Sequence, residues 1–152
     1  MLKEGSTAPA FKTTDGEGNS VSLKDYRGQK VVLYFYPKDD TPGCTKEACS
    51  FRDSFGEFKK AGIEVLGIST DNEKSHQKFA KKFELPFTLL TDTDHAIAEK
   101  YDSYGQKKFM GRTYMGVFRK TFLIDEKGKI KRVFDKVKPD DHAQEVLNAF
   151  AE

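Results

Sequence analysis

The two cysteines of this 152-residue chain lie five positions apart, at Cys44 and Cys49. Thr41-Pro42, just before the first of them, predicts a helix start with threonine at the N-cap and proline at the first helical position. Cys44 is then the third helical residue, where free backbone N–H groups and the positive end of the helix dipole favour the thiolate. We therefore expect an exposed, nucleophilic sulfur at Cys44, with the Thr41 hydroxyl against the Cys44 backbone N–H.

Cys49 falls on the same predicted helix as Cys44. Cα atoms five residues apart on an α-helix are separated by about 8.6 Å, whereas a disulfide needs roughly 4.4–6.8 Å. The intact helix therefore prevents a disulfide between them, and the pair indicates redox chemistry rather than a structural cross-link. An isolated free cysteine is more often buried and inert. Thr41, Gly43 and Cys49 together favour the reactive alternative, and the missing side chain of Gly43 leaves room for a small substrate.

The motif P-x-x-x-T-x-x-C is formed here by Pro37, Thr41 and Cys44, and the chain thereby resembles the peroxiredoxins. The Cys-x-x-x-x-Cys spacing and the segment Gly-Val-Phe-Arg-Lys-Thr-Phe-Leu-Ile-Asp at 116–125 resemble the bacterioferritin comigratory protein, or peroxiredoxin Q, branch. The likeness covers nearly the whole chain. It implies that Cys44 is the peroxidatic cysteine and Cys49 the resolving cysteine.

The same resemblance implies a thiol-specific peroxidase that serves antioxidant defence and redox homeostasis. It would reduce hydrogen peroxide and alkyl hydroperoxides through a Cys44 sulfenic acid and a Cys44–Cys49 disulfide, which thioredoxin or a similar dithiol recycles. The implied substrate-binding residues are Pro37, Thr41, Gly43 and Arg119. Thr41 and Arg119 are also implied in catalysis. No metal or other cofactor is required, and a monomer or weak dimer is expected.

Two other function classes remain open at this stage. The first is a thiol–disulfide oxidoreductase with a thioredoxin-like fold, which usually needs C-x-x-C and a cis-proline. Here the spacing is C-x-x-x-x-C, and no proline occurs between Pro86 and Pro139. A redox sensor or chaperone would need the same sulfenic acid, so the sequence does not separate it from a peroxidase. A zinc site from both cysteines and two histidines has little support, because no H-x-x-x-H pattern follows.

Composition restricts the partners and the compartment. The net charge of +2 is too small to indicate a nucleic-acid or anionic-membrane partner. The N-terminus lacks the apolar stretch of a secretory signal, and no apolar run approaches a membrane span. Two cysteines are too few for a secreted disulfide scaffold, so we expect a cytoplasmic protein. An organelle protein whose transit peptide has been removed would show the same sequence features, so that location stays open beside the cytoplasm.

The elements predict one α/β domain over residues 1–152 with a thioredoxin-like fold. It would have a mixed β-sheet flanked by helices and an N-terminal β-hairpin within 11–23. We expect strands at 31–36, 63–69, 87–91, 121–125 and 129–134, and helices at 42–60, 73–83, 94–101 and after Pro139. Residues 102–118 predict irregular structure.

The remaining polar residues predict structural or surface roles. Asp92 and Asp94 fit a helix cap rather than a catalytic pair. The side chains expected in solvent are Asp39, Asp40, His76, His95 and His142. Arg112 competes with Arg119 by residue type alone, and only the family resemblance selects Arg119.

Overall fold

The computed structural model describes residues 2–152. The helices are α1 (Pro42–Asp53), α2 (Phe55–Lys60), α3 (Glu73–Lys82), α4 (Ala96–Lys100) and α5 (His142–Ala151), with a 3-10 helix at Leu23–Tyr26. The strands are β1 (Lys12–Thr14), β2 (Ser20–Ser22), β3 (Lys30–Phe35), β4 (Ile63–Ser69), β5 (Thr88–Thr91), β6 (Tyr104–Phe109), β7 (Arg112–Val117), β8 (Lys120–Ile124) and β9 (Ile130–Phe134). Among the described residues, no helix is both long and apolar enough to span a bilayer.

A five-stranded mixed sheet in the order β5-β4-β3-β8-β9 forms the centre of the molecule. Strands β3, β4 and β5 run parallel, while β8 pairs antiparallel with β3 and β9 with β8. Residues Val31 to Phe35 of β3 are at most 1% exposed, because helices cover both faces of this strand. The predicted α/β thioredoxin-like fold is confirmed, and β1 and β2 form the expected N-terminal hairpin.

The two faces of the sheet carry separate apolar clusters. On one face, α1, α2, α3 and α5 contribute Phe51, Phe58, Phe79 and Val146. On the other face, α4 contributes Ile97 beside residues from the N-terminal segment such as Phe11. Phe51 and Phe58, both within residues 42–60, therefore pack against the sheet.

The single helix predicted over 42–60 is wrong, since α1 ends at Asp53 and α2 begins at Phe55. Ser54, between them, has φ −104° and ψ 9°. Its N–H donates to the Ser50 carbonyl, and its own carbonyl accepts from Glu57 and Phe58. Ser54 and the nearby Gly56 are weak helix formers, which explains why the chain bends here.

The irregular structure predicted for 102–118 is also wrong, because β6 and β7 form an antiparallel hairpin. Met110 and Gly111 at its turn both have positive φ, at 50° and 78°. Within residues 2–152 the two strands pair only with each other, and they are largely exposed, so the sequence shows no alternation of apolar and polar residues there. Met-Gly is also a weaker turn signal than Asn-Gly or Asp-Gly.

Candidate active site

The loop after β3 leads directly into the helix that carries both cysteines. Thr41 is the N-cap of α1 and Pro42 its first residue, so Cys44 is the third helical residue as predicted. The Thr41 hydroxyl, however, donates to the Lys38 carbonyl at 2.8 Å. The expected contact with the Cys44 backbone is therefore wrong. Thr41 occupies the N-cap position, but its side chain closes the loop and makes no hydrogen bond to an N–H of the helix.

Cys44 is 2% exposed, which corrects the expectation of an exposed sulfur. It belongs to the same apolar cluster as Tyr34, Ala48 and Phe51. The first turn of α1 lies against the sheet, and this packing covers the sulfur. A bulky dithiol has no access to such a sulfur in this conformation, so any exchange with one requires α1 to move.

Arg119 links the sulfur to a buried carboxyl group. It lies between β7 and β8, and its Nη2 donates to Cys44 Sγ at 3.3 Å. Its Nη1 donates to Glu47 Oε1 at 2.7 Å. Glu47 is 0% exposed, and its Oε2 has no hydrogen-bond partner among residues 2–152. The ion pair fixes the guanidinium so that a second N–H points at the sulfur.

Burial raises the pKa of Glu47 to about 7, and the attraction of Arg119 only partly offsets that effect. Burial by itself lowers the pKa of Arg119, but the charges of Glu47 and Cys44 raise it overall. Arg119 is therefore positively charged at every relevant pH. A fixed positive charge beside Sγ favours the thiolate and any anion that develops near it.

Gly43 allows Arg119 to approach the helix start. A Cβ at this position would lie 3.1 Å from Arg119 Nη2, tighter than an ordinary contact. The sequence predicted that the space beside Gly43 would admit substrate, but the guanidinium occupies it. Any larger residue here would push Arg119 away from the sulfur.

Cys49 is partly buried on the same helix as Cys44, and both are free thiols. Arg112 is exposed near the turn of the β6–β7 hairpin, so the structure places Arg119 and not Arg112 beside the sulfur. Pro37 is partly buried in the loop that ends at Thr41.

Sequence reasoning missed Glu47 and Lys107. Glu47 follows Cys44 by three positions, a spacing that places both on one face of a helix, so the signal was present. Lys107 lies on β6 and donates to the Val117 carbonyl at 2.9 Å. Burial, aided by the nearby Arg119, lowers the pKa of Lys107. No local pattern in the sequence brings Lys107 to this site.

Three side chains expected in solvent are buried instead. Asp39 is 7% exposed, and His76 and His142 are both 0% exposed. His142 Nε2 lies 2.7 Å from the Thr121 hydroxyl, and burial lowers the pKa of His142. Their charged sequence neighbours suggested exposure, but His76 and His142 lie on the covered sides of α3 and α5. Asp39 lies in the loop before α1 and is held against α3 by hydrogen bonds with Ser75 and His76.

His95 is partly exposed and stacks on Tyr104, while Asp40 is exposed as predicted. Asp92 accepts hydrogen bonds from the N–H groups of Ile97 and Ala98, which confirms its capping role. Asp94 likewise accepts from the Ala96 N–H.

Within residues 2–152, one group of three side chains has the spacing of metal ligands: Asp39, Asp71 and His76. Both ring nitrogens of His76 and both carboxylate oxygens of Asp39 already form hydrogen bonds. The group is therefore a saturated hydrogen-bond network, and neither cysteine belongs to it.

The sequence and the fold resemble those of known proteins. The model of the AhpC/TSA family matches residues 5–133. The putative peroxiredoxin bcp of Coxiella burnetii is 53% identical over 146 residues, covering 96% of this chain and 97% of its own. Peroxiredoxin Bcp of Escherichia coli is 52% identical over 147 residues, covering 97% and 94%.

Solved structures agree with these relatives. A cysteine-to-serine mutant of peroxiredoxin Q from Xylella fastidiosa superposes with a TM-score of 0.93 at 34% identity, covering 100% of this chain and 99% of its own. The bacterioferritin comigratory protein of Xanthomonas campestris gives 0.91 at 35% identity, covering 99% and 95%. The chain belongs to the AhpC/TSA family and is a peroxiredoxin of the Bcp, or peroxiredoxin Q, type, a peroxidase that acts on peroxides with a thiol reductant.

Proposed function

We propose that Cys44 is the peroxidatic cysteine and Cys49 the resolving cysteine of this peroxiredoxin. The observation that carries the proposal is the 3.3 Å hydrogen bond from Arg119 to Cys44 Sγ at the start of α1. Arg119 and the helix N-terminus favour the thiolate, which is the nucleophilic form. The proposed substrate-binding residues are Pro37, Thr41, Gly43 and Arg119: the Thr41 hydroxyl closes the loop onto Lys38, and Gly43 leaves room for Arg119.

In the first step the Cys44 thiolate attacks the terminal oxygen of the peroxide. The O–O bond breaks, the sulfur keeps an OH group as sulfenic acid, and the other oxygen leaves as an alkoxide or hydroxide that takes up a proton. Arg119 stabilises the negative charge as it moves from sulfur to the leaving oxygen. The products are Cys44 sulfenic acid and an alcohol or water.

In the second step the Cys49 thiol attacks the sulfenic sulfur, which forms the Cys44–Cys49 disulfide and releases water. An external dithiol then reduces this disulfide to two thiols and is itself oxidised. Thioredoxin fits that role, because thiol–disulfide exchange needs a small, accessible dithiol. No step requires a metal or another cofactor.

The substrates proposed are hydrogen peroxide and alkyl hydroperoxides. Support for the latter comes from the X. campestris relative, whose structures concern an alkyl peroxide reduction activity. We also propose that residues 1–152 act as one domain, as a monomer or weak dimer, in the cytoplasm. A pair of reactive thiols needs a reducing compartment to be regenerated.

Multiple turnover separates this function from that of a redox sensor with the same thiols. With thioredoxin, thioredoxin reductase and excess peroxide, the protein should consume many equivalents of peroxide. The assay follows the oxidation of the nicotinamide cofactor that the reductase consumes. A sensor would stop after one equivalent. Comparing hydrogen peroxide with alkyl hydroperoxides of increasing length in the same assay identifies the preferred substrate.

A further inference from the structure

Asp39, in the loop before α1, forms more buried contacts than its position suggests. Its Oδ1 accepts from the Tyr36 hydroxyl at 2.6 Å, and its Oδ2 accepts from the Ser75 hydroxyl at 2.8 Å. The same Oδ2 lies 2.7 Å from His76 Nδ1. Its backbone N–H donates to Asp71 at 2.8 Å. None of these contacts takes part in the proposed reaction.

The hydrogen-bond partners determine where the protons of His76 lie. Nε2 is 2.7 Å from the Leu90 carbonyl, which only accepts, so Nε2 carries a proton. Nδ1 faces a carboxylate oxygen at 2.7 Å. A second proton therefore lies between Nδ1 and Oδ2, since two lone pairs would repel at this distance. The contact is a short hydrogen bond between two buried side chains.

This network ties the loop to elements outside α1. His76 and Ser75 belong to α3, Leu90 belongs to β5, and Asp71 follows β4. The turns that disulfide formation must unwind begin at Cys44. Asp39 therefore lies just before the moving segment and is attached to parts of the fold that do not need to move.

We propose that Asp39 and His76 are positioning residues for the peroxide reaction. They hold the loop of residues 36–41 in place, so that Pro37 and Thr41 keep their positions while α1 opens and closes. Asp39 thereby sets the N-terminal limit of the opening. The inference rests on the proposed function, because it assumes that Cys44 reacts with peroxide and that α1 then opens.

Two substitutions at Asp39 separate anchoring from charge. Asp39→Ala removes every side-chain contact. Asp39→Asn can keep the same partners in a neutral form: its carbonyl can accept from Tyr36, and its two amide N–H groups can donate to an unprotonated His76 Nδ1 and to the Ser75 hydroxyl. In single-turnover measurements, Asp39→Ala should lower the second-order rate constant for peroxide about tenfold to a hundredfold, since small misplacements of reacting groups cost that much. Asp39→Asn should stay within about threefold of the wild type.

A purely structural role would lower the fraction of folded protein but not the rate of the folded fraction. The first-order rate of disulfide formation, measured in the same samples, should not fall in Asp39→Ala. The proposal is overturned if Asp39→Ala reacts with peroxide at the wild-type rate. It is equally overturned if Asp39→Asn is as slow as Asp39→Ala, since charge and not anchoring would then matter.

Hydrogen exchange on the wild-type protein tests the same point without a variant that must fold. In the disulfide form, the Asp39 amide should keep its protection while amides 44–49 lose theirs. Loss of protection at Asp39 together with 44–49 would overturn the proposal. Peroxide turnover by the same wild-type sample tests the proposed function separately, so the two failures are distinguishable.

Discussion

Arg119 donates hydrogen bonds to two groups at once, the sulfur of Cys44 and the carboxyl group of Glu47. The sulfur depends on this arrangement because it lies in an apolar cluster, where an unpaired negative charge is costly. The guanidinium and the helix N-terminus together compensate for that cost. The proposed reactivity of Cys44 therefore depends on three side chains together, those of Cys44, Glu47 and Arg119.

Substitution of Cys44 and substitution of Cys49 should remove different steps of the reaction. Cys44→Ser should abolish peroxide consumption, because a serine hydroxyl does not ionise near neutral pH. Cys49→Ser should still reduce one equivalent of peroxide and accumulate sulfenic acid, but lose turnover with thioredoxin. Mass spectrometry and a sulfenic-acid probe follow both reactions. Substantial peroxidase activity in Cys44→Ser would contradict the assigned roles.

Removing the guanidinium should slow the peroxide step strongly. Arg119→Ala takes away both the positive charge beside Sγ and the donor for the leaving oxygen. We expect a loss of about 10²- to 10³-fold in the rate constant for peroxide. The thiolate fraction, followed by its ultraviolet absorbance, should also fall. Arg112→Ala is the matched control, and equal losses in both variants would argue against a specific role for Arg119.

Glu47 should make the opening of α1 depend on pH. Its pKa is raised from 4.5 to about 7 in the closed form, so between these values the closed form binds the extra proton. The closed form is therefore favoured at low pH and loses stability as pH rises through 7, by about 3 kcal/mol in total.

Hydrogen exchange of α1 in a Cys44→Ser background, which removes the thiol titration, measures this effect from about pH 5 to about pH 8. After correction for intrinsic exchange, opening should become easier as pH rises. Glu47→Gln is neutral at every pH and should remove the slope. A slope that survives in Glu47→Gln would assign the effect to another group.

At the scale of elements, the proposed reaction requires α1 both to hold Cys44 and to release it. Cys44 and Cys49 lie on one continuous helix, which keeps them too far apart to bond. The helix has natural limits for a local opening. Ser50 Oγ accepts from the Ala143 N–H of α5, and α1 ends at Asp53. The break between α1 and α2 at Ser54 is therefore the point where such an opening can stop.

Oxidation should therefore unwind α1 from about Cys44 through Cys49 while the remaining helices stay folded. Hydrogen exchange of the reduced and disulfide forms should show lost protection for amides 44–52. Amides of α3 serve as the internal control and should not change. If a confirmed Cys44–Cys49 disulfide left residues 44–52 equally protected in both forms, this account of resolution would be wrong.

At the scale of the whole molecule, the central sheet is packed tightly enough to require a glycine. A Cβ at Gly67 of β4 would lie 2.8 Å from the Tyr34 ring and 2.9 Å from Leu89. Both neighbours belong to adjacent strands and are buried. This close approach lets the Tyr34 ring lie against Gly67 and stack on Phe51 of α1.

Gly67→Ala should destabilise the protein by about 1–3 kcal/mol, because overpacking forces its neighbours to shift. Gly56→Ala is the control, since a Cβ there meets no atom within 4 Å and alanine favours a helix. It should be neutral or stabilising by up to about 1 kcal/mol. Denaturant unfolding of both variants measures the difference. Equal stability of the two variants would contradict the packing argument.

The sequence by itself was sufficient to predict the features that depend on which residues are neighbours along the chain. Apolar runs located β3 and β4, and Thr41-Pro42 located the start of α1. The family motif selected Arg119 from 75 positions away, but only through resemblance. Local patterns failed in the largely exposed β6–β7 hairpin, and where two weak helix formers ended α1 early.

Only the tertiary structure decided what surrounds the sulfur. Burial of Cys44, the ion pair of Arg119 with Glu47, and the network between Asp39 and His76 all join residues from different elements. The physical reason is that burial and hydrogen-bond pairing depend on which surfaces meet, whereas charge and spacing along the chain are the same for an exposed and a covered side chain. The sequence therefore selected Cys44 as the candidate nucleophile, and the packing of α1 against the sheet determined how its sulfur is held.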